Sequence, residues 1–209
     1  MRAFRAAEQP SLNTEAGFSL LELLVAFAIL TIILGAIYGT FFLSHRALDG
    51  MDDTLLKLQE CRMTLDTLGR EMDSAFYSPS TSISAFRIED RDLYGKQASR
   101  VVFTAFSPLT PGLSRVSYYV DENNGKLTLM KNIHSAFTPD TPEERGIDLI
   151  DDLQAFSVEA MLKGKWVRTW DTADTNAVPE EIRVTITFTL KDKPFTLYET
   201  VAPKIGRKL

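Results

Sequence analysis

Twenty-six consecutive residues, Phe18 to Leu43, follow directly on Gly17 and contain one side chain charged at neutral pH, Glu22. As an α-helix this run is about 39 Å long, enough to cross a hydrocarbon core of roughly 30 Å. A chain carrying it must place that segment in lipid or against other apolar helices, and fold whatever function it has around that fact. The run exceeds the 7–15 residues typical of a signal-peptide apolar region, and no Ala-x-Ala site closes it, so it reads as a retained anchor. A carboxylate in such a segment is costly and marks a functional position by default. Glu22 lies only about 6 Å of helix rise from Phe18, so snorkelling to the interface is the plain alternative.

Arg2 and Arg5 precede the run, and Asp49, Asp52 and Asp53 follow it. Retention of the N-terminus on the cytoplasmic side fits this asymmetry, although His45 and Arg46 blur it. Gly35 and Gly39 form a Gly-x-x-x-Gly pair that either packs closely on another helix or reflects the frequency of small residues in membrane helices. With Thr31 and Thr40 they also lower local helix propensity.

The 166 residues after Leu43 suffice for one domain with its own core. A net charge of −5 argues against a nucleic-acid surface. The single cysteine, Cys61, excludes an internal disulfide and reads as a small apolar residue on a helix. Leu48, Met51, Leu55, Leu58, Leu65, Leu68, Met72 and Ala75 recur at three- and four-residue steps, with Arg62 interrupting them. This is an amphipathic stripe, continuing the helix to about Tyr77, where Ser78-Pro79-Ser80 stops it. The stripe covers either the chain's own apolar surface or a partner in a short coiled coil.

Strand patterns follow at 82–89, 100–106, 115–120, 126–133, 153–162, 181–190 and 194–201. Asn123-Asn124-Gly125 and Lys191-Asp192-Lys193 read as hairpin turns. Ile182, Val184, Ile186 and Phe188 alternate with Arg183, Thr185, Thr187 and Thr189, the mark of a strand with one solvated face. The fold class is therefore α+β: a long N-terminal membrane helix continuing into an amphipathic helix packed on an antiparallel sheet. The boundaries are 1–17, 18–43 and 44–209, the last comprising a helix over 44–77 and a β-rich part over 82–203. The proline-bearing segments 135–146 and 171–179 are either partner-binding or mobile loops.

The string Gly17-Phe18-Ser19-Leu20-Leu21-Glu22, followed by an apolar stretch, resembles the class III signal of type IV pilins and type II secretion pseudopilins. The resemblance implies that a prepilin peptidase removes residues 1–17 by cutting between Gly17 and Phe18. It also implies that Phe18 becomes an N-methylated terminus and that Glu22 takes the role of the family's assembly glutamate, pairing with the new amine of a neighbouring subunit. Length, and the order Lys165-Trp166, Trp170-Asp171, Val178-Pro179, Ile182-Arg183-Val184, look like the J-type minor pseudopilin of type II secretion systems; the plainer reading makes Trp166 and Trp170 core caps. Implied partners are I- and K-type minor pseudopilins and the major pseudopilin, in a tip complex that primes a short pseudopilus. The implied location is the bacterial inner membrane, single-pass, with the C-terminal domain in the periplasm.

No catalytic constellation is legible. His45 and His134 lack metal-ligand spacing to other residues, and no Gly-x-Ser-x-Gly, P-loop or Cys-x-x-Cys motif occurs. The acidic groups Glu89–Asp92 and Asp148/Asp151/Asp152 do not fix a calcium site. Asp121–Gly125 lacks the distal glutamate of a calcium loop, since the twelfth position is Asn132. The expectation is a structural subunit with no cofactor, metal or catalytic residue. The alternative is a minor pilin of a type IV pilus or DNA-uptake system, exposing its β face to an external ligand.

Overall fold

The computed structural model describes residues 18–107, 112–123, 125–138, 146–191 and 193–204; side chains of 47–53 and 123 lie outside the description. The expected leader, the flanking acids Asp49, Asp52 and Asp53, and the stripe members Leu48 and Met51 therefore fall wholly or by their side chains outside it, as does most of segment 135–146. Two compact units divide the chain at Met51/Asp52.

The described part of the N-terminal unit is helical from Leu20 onward. Helix α1 runs Leu20–Asp73, and its residues before Asp52 belong to this unit. Ser19 caps it: its hydroxyl accepts the Glu22 backbone N–H at 3.2 Å, and its carbonyl accepts that of Leu23. Ser19-x-x-Glu22 thus has the spacing of a capping box.

In the second unit the remainder of α1 covers a sheet whose ladders are all antiparallel. The strands are β1 (Phe86–Glu89), β4 (Arg100–Phe106), β5 (Leu113–Asn123), β6 (Lys126–Ser135), β7 (Ile147–Leu162), β8 (Lys165–Val167), β9 (Trp170–Asp171), β10 (Ile182–Leu190) and β11 (Lys193–Val201). Their order is β11-β10-β7-β6-β5-β4-β1-β9, with β8 on the flank of β7. A separate ribbon pairs β2 (Asp92–Leu93) with β3 (Lys96–Gln97). Its turn, Tyr94-Gly95, has positive φ at both residues, as a two-residue hairpin of this hand requires. The two expected hairpins close as Asn123↔Lys126 and Leu190↔Lys193.

Cys61, Leu65, Leu68 and Met72 of α1 share one core with Phe86, Phe103, Val116, Tyr118, Phe156, Val184 and Phe188 of the sheet. The apolar stripe is continuous where Arg62 had appeared to break it, because Cys61, fully buried, occupies the inward position. Leu55, counted in the stripe, is instead 56% exposed. The covering surface is the chain's own sheet, not a coiled-coil partner.

The structure departs from the sequence pattern at four places. The helix ends at Asp73 rather than Tyr77, because the next residues bridge to β4: Ala75 pairs with Ala105, and the Phe76 N–H donates to the Thr104 carbonyl at 2.7 Å. The first strand begins at Phe86 rather than residue 82. The Ser84 hydroxyl ties the preceding loop by accepting from the Ser78 N–H and donating to the Ser78 carbonyl. Strand β7 starts at Ile147, six residues early, with Asp152 at φ 57° and register shifts against β6. That bulge leaves Ile150 and Leu153 buried three apart and so destroys the period of two. Finally, segment 171–179 is tied down rather than loose. It holds the end of β9 and a short helix α2 (Thr172–Thr175) capped by Asp171, whose carboxylate also accepts from Arg87 Nε at 2.8 Å.

Candidate assembly site

The site is built from the bottom of α1. Every residue from Phe18 to Arg46 is exposed in the isolated chain, and Leu20–Arg46 is long and apolar enough to cross a membrane. Water is a poor solvent for such a surface, at about 25 cal/mol for each Å² left uncovered. Phe18, 76% exposed, stands at its start. Gly17, on the other side of the expected cut, lies outside the described residues.

Glu22 sits one turn in, at the third position of the helix, where the amide dipoles favour a carboxylate by about 0.3–1 kcal/mol. Among the described residues its carboxylate has no hydrogen-bond or ion-pair partner. A charge left in hydrocarbon costs roughly 2.5–3.5 kcal/mol even on the lenient insertion scales, so the dipole offsets only part of that. Higher up, a Cβ on Gly35 or Gly39 would meet nothing within 4 Å. The backbone there is bare and open to another helix. Thr31 and Thr40 spend their hydroxyls on carbonyls of the preceding turn, at 2.8 Å to Phe27 and 3.0 Å to Ala36.

In the second unit the outward side of α1 presents Leu56 and Met63, 64% and 61% exposed and two turns apart. Its inward side carries a feature that sequence reasoning missed. Glu71 is buried, accepting from Lys131 Nζ at 2.6 Å, from Ser107 Oγ at 2.9 Å and from Tyr118 Oη at 2.6 Å. Lys131 also lies 5.3 Å from the centre of the Tyr118 ring. Burial first, then the Glu71 charge and hydrogen bond, push the Tyr118 phenol far above its ordinary range. Two signals were available: Glu71 lies three residues after Leu68 on the apolar face, and Lys131 shares inward parity with Leu127 and Leu129.

The other residues singled out serve local roles. Trp170 joins the core and donates Nε1–H to the Ala177 carbonyl at 3.0 Å, whereas Trp166 lies under the Arg183 guanidinium. His45 meets the Phe41 ring edge, and His134 pairs across from Arg115 in the sheet. Asp92 accepts the Gly95 N–H, and Asp151 accepts the Thr128 hydroxyl. Among the described residues no three His, Cys, Asp or Glu side chains converge as metal ligands.

Residues 40–198 match the family described as type II secretion system (T2SS), protein J, and residues 12–38 match the prokaryotic N-terminal methylation motif. No curated protein matches the chain. Among solved structures, a type IV-like pilin from Thermus thermophilus is similar at 11% identity and a TM-score of 0.46, over 70% of this chain and 94% of that one.

Proposed function

The chain belongs to the protein J family of type II secretion systems and is a minor pseudopilin; we propose that it works as a non-catalytic tip subunit, joined to its neighbours through α1. In this reading the chain divides into a leader over 1–17, a membrane and assembly helix over 18–43, and a periplasmic domain over 44–209. Prepilin peptidase cuts between Gly17 and Phe18 on the cytoplasmic side. Phe18 is then N-methylated and carries the new amine. The subunit stays in the inner membrane by one pass until it is drawn into the pseudopilus.

One observation carries the proposal: a lone carboxylate, Glu22, without a partner among the described residues, on a helix exposed over its whole apolar length. Such a group lowers its burial cost by meeting a cation in the membrane. A processed neighbour offers one, the ammonium on its Phe18. Pairing of Glu22 with that amine sets the axial offset between adjacent subunits. The bare Gly35/Gly39 face permits close helix approach, and in the second unit the exposed Leu56 and Met63 offer a contact of their own. We assign the contacting subunits to the I- and K-type minor pseudopilins and, below them, to the major pseudopilin.

Intact mass of the membrane-extracted protein tests the cut and the methylation together. The expected mass is that of residues 18–209 plus one methyl group. Retained Met1, or another start in cells with an active peptidase, overturns the proposal. Replacing Gly17 by a bulky residue should leave the leader attached, because the peptidase must reach the backbone there; a normal mature mass in that variant would contradict it.

A further inference from the structure

We propose that the buried Glu71–Lys131 pair is a register lock, fixing where along its axis α1 lies on the sheet. The apolar stripe cannot do this alone. Its inward residues Leu58, Cys61, Leu65, Leu68, Met72 and Ala75 repeat at three- and four-residue steps. A slip of one heptad that brings Leu65 to the place of Leu58, Leu68 to that of Cys61, Met72 to that of Leu65 and Ala75 to that of Leu68 loses no apolar match, and it carries Cys61 out to the half-buried place of Thr54. Apolar still meets apolar.

The polar cluster lacks that degeneracy. Lys131 sits in the sheet with its side chain 3% exposed, and Glu71, 1% exposed, answers it at 2.6 Å. In the slipped registers the residue brought opposite Lys131 is Thr64 or Ser78 for one heptad, and Thr67, Leu68, Ser74 or Ala75 for one turn. None is acidic, so each slip leaves a buried ammonium without its counter-charge. Ser107, just past the end of β4, and Tyr118 on β5 bind the two Glu71 oxygens from different places and fix rotation as well as height. A single polar contact setting register within an apolar seam is the best-attested use of such pairs.

Cys61 supplies the reporter, with no probe to engineer. It is fully buried on the inward stripe, and burial raises its thiol pKa to about 11. Alkylation of the full-length protein in detergent under native conditions therefore reads loss of the unique register. Replacing both charges by apolar residues, E71L/K131M, leaves no unpaired charge and is often neutral for stability. The lock predicts a cooperative unfolding midpoint within a few degrees of wild type, but Cys61 alkylation at least about tenfold faster through registers and openings that the pair forbids. Wild-type protection of Cys61 in that variant overturns the proposal, since the stripe then holds register unaided. Should E71L/K131M lose its cooperative transition, the charge-exchanged E71K/K131E decides. Wild-type thiol protection restored by the exchange supports the lock, and continued exposure overturns it.

Discussion

Glu199 on β11 lies against the bare backbone of Gly69 in α1: a Cβ at Gly69 would stand 2.6 Å from Glu199 Oε1. By propensity alone this glycine only weakens a helix, and the need for it is invisible until β11 is in place. Glu199 is held above the ordinary carboxylate range by burial first, then by Asp66 and Asp73, with Arg70 opposing. A raised folded-state value means that protonation favours the fold. The contribution is complete below the unfolded carboxylate value and is lost as pH rises through the folded one. Glu199→Gln should therefore unfold at a slightly higher temperature than wild type at pH 7, and the gap should close on acidification into the carboxylate range. The side chain is only partly buried and screened, so the gain stays below about 1 kcal/mol. Thermal melts of both proteins across that range check it, and a gap that widened on acidification would refute the assignment. Glu22 and Glu71 show the limit of legibility at this scale. An acid in an apolar run announces that it needs a partner, but Lys131, 60 residues from Glu71, is found only by folding the chain.

At the scale of the element, β10 was legible because nothing interferes with its period of two: Ile182, Val184, Ile186 and Phe188 are all fully buried. β7 was only half legible, since the bulge at Asp152 shifts parity midway. The end of α1 was misplaced because pairing of Ala75 with Ala105 overrides helix propensity there. The amphipathic part of α1 allows a sharp contrast between its faces. Leu68 is fully buried, and Leu56 is 64% exposed. Leu68→Ala should cost about 2–5 kcal/mol through lost burial and the cavity left behind. Leu56→Ala should stay within about 0.5 kcal/mol in the isolated subunit while weakening recovery of partner subunits. Denaturant unfolding of the purified full chain, alongside copurification, separates the two; equal destabilisation by both would mean that the outward face is not free.

For the whole molecule, the question is why an organism would keep a charge in a membrane anchor. If Glu22 served membrane insertion, its removal should harm retention. If it serves registration, the opposite ordering holds, because alanine is easier to bury than a carboxylate. Glu22→Ala should therefore be processed and retained in the membrane at least as well as wild type, yet enter the tip complex poorly. If pairing with the Phe18 amine returns even about 1.4 kcal/mol, its loss lowers the assembled fraction about tenfold under limiting conditions. Glu22→Gln should fall between, since an amide can accept a hydrogen bond from the ammonium but offers no counter-charge. Fractionation, intact mass and pull-down of partner subunits from one culture give all three readouts. Membrane retention falling in step with assembly would mean that Glu22 serves the anchor itself, and the proposed pairing between subunits would then have no support.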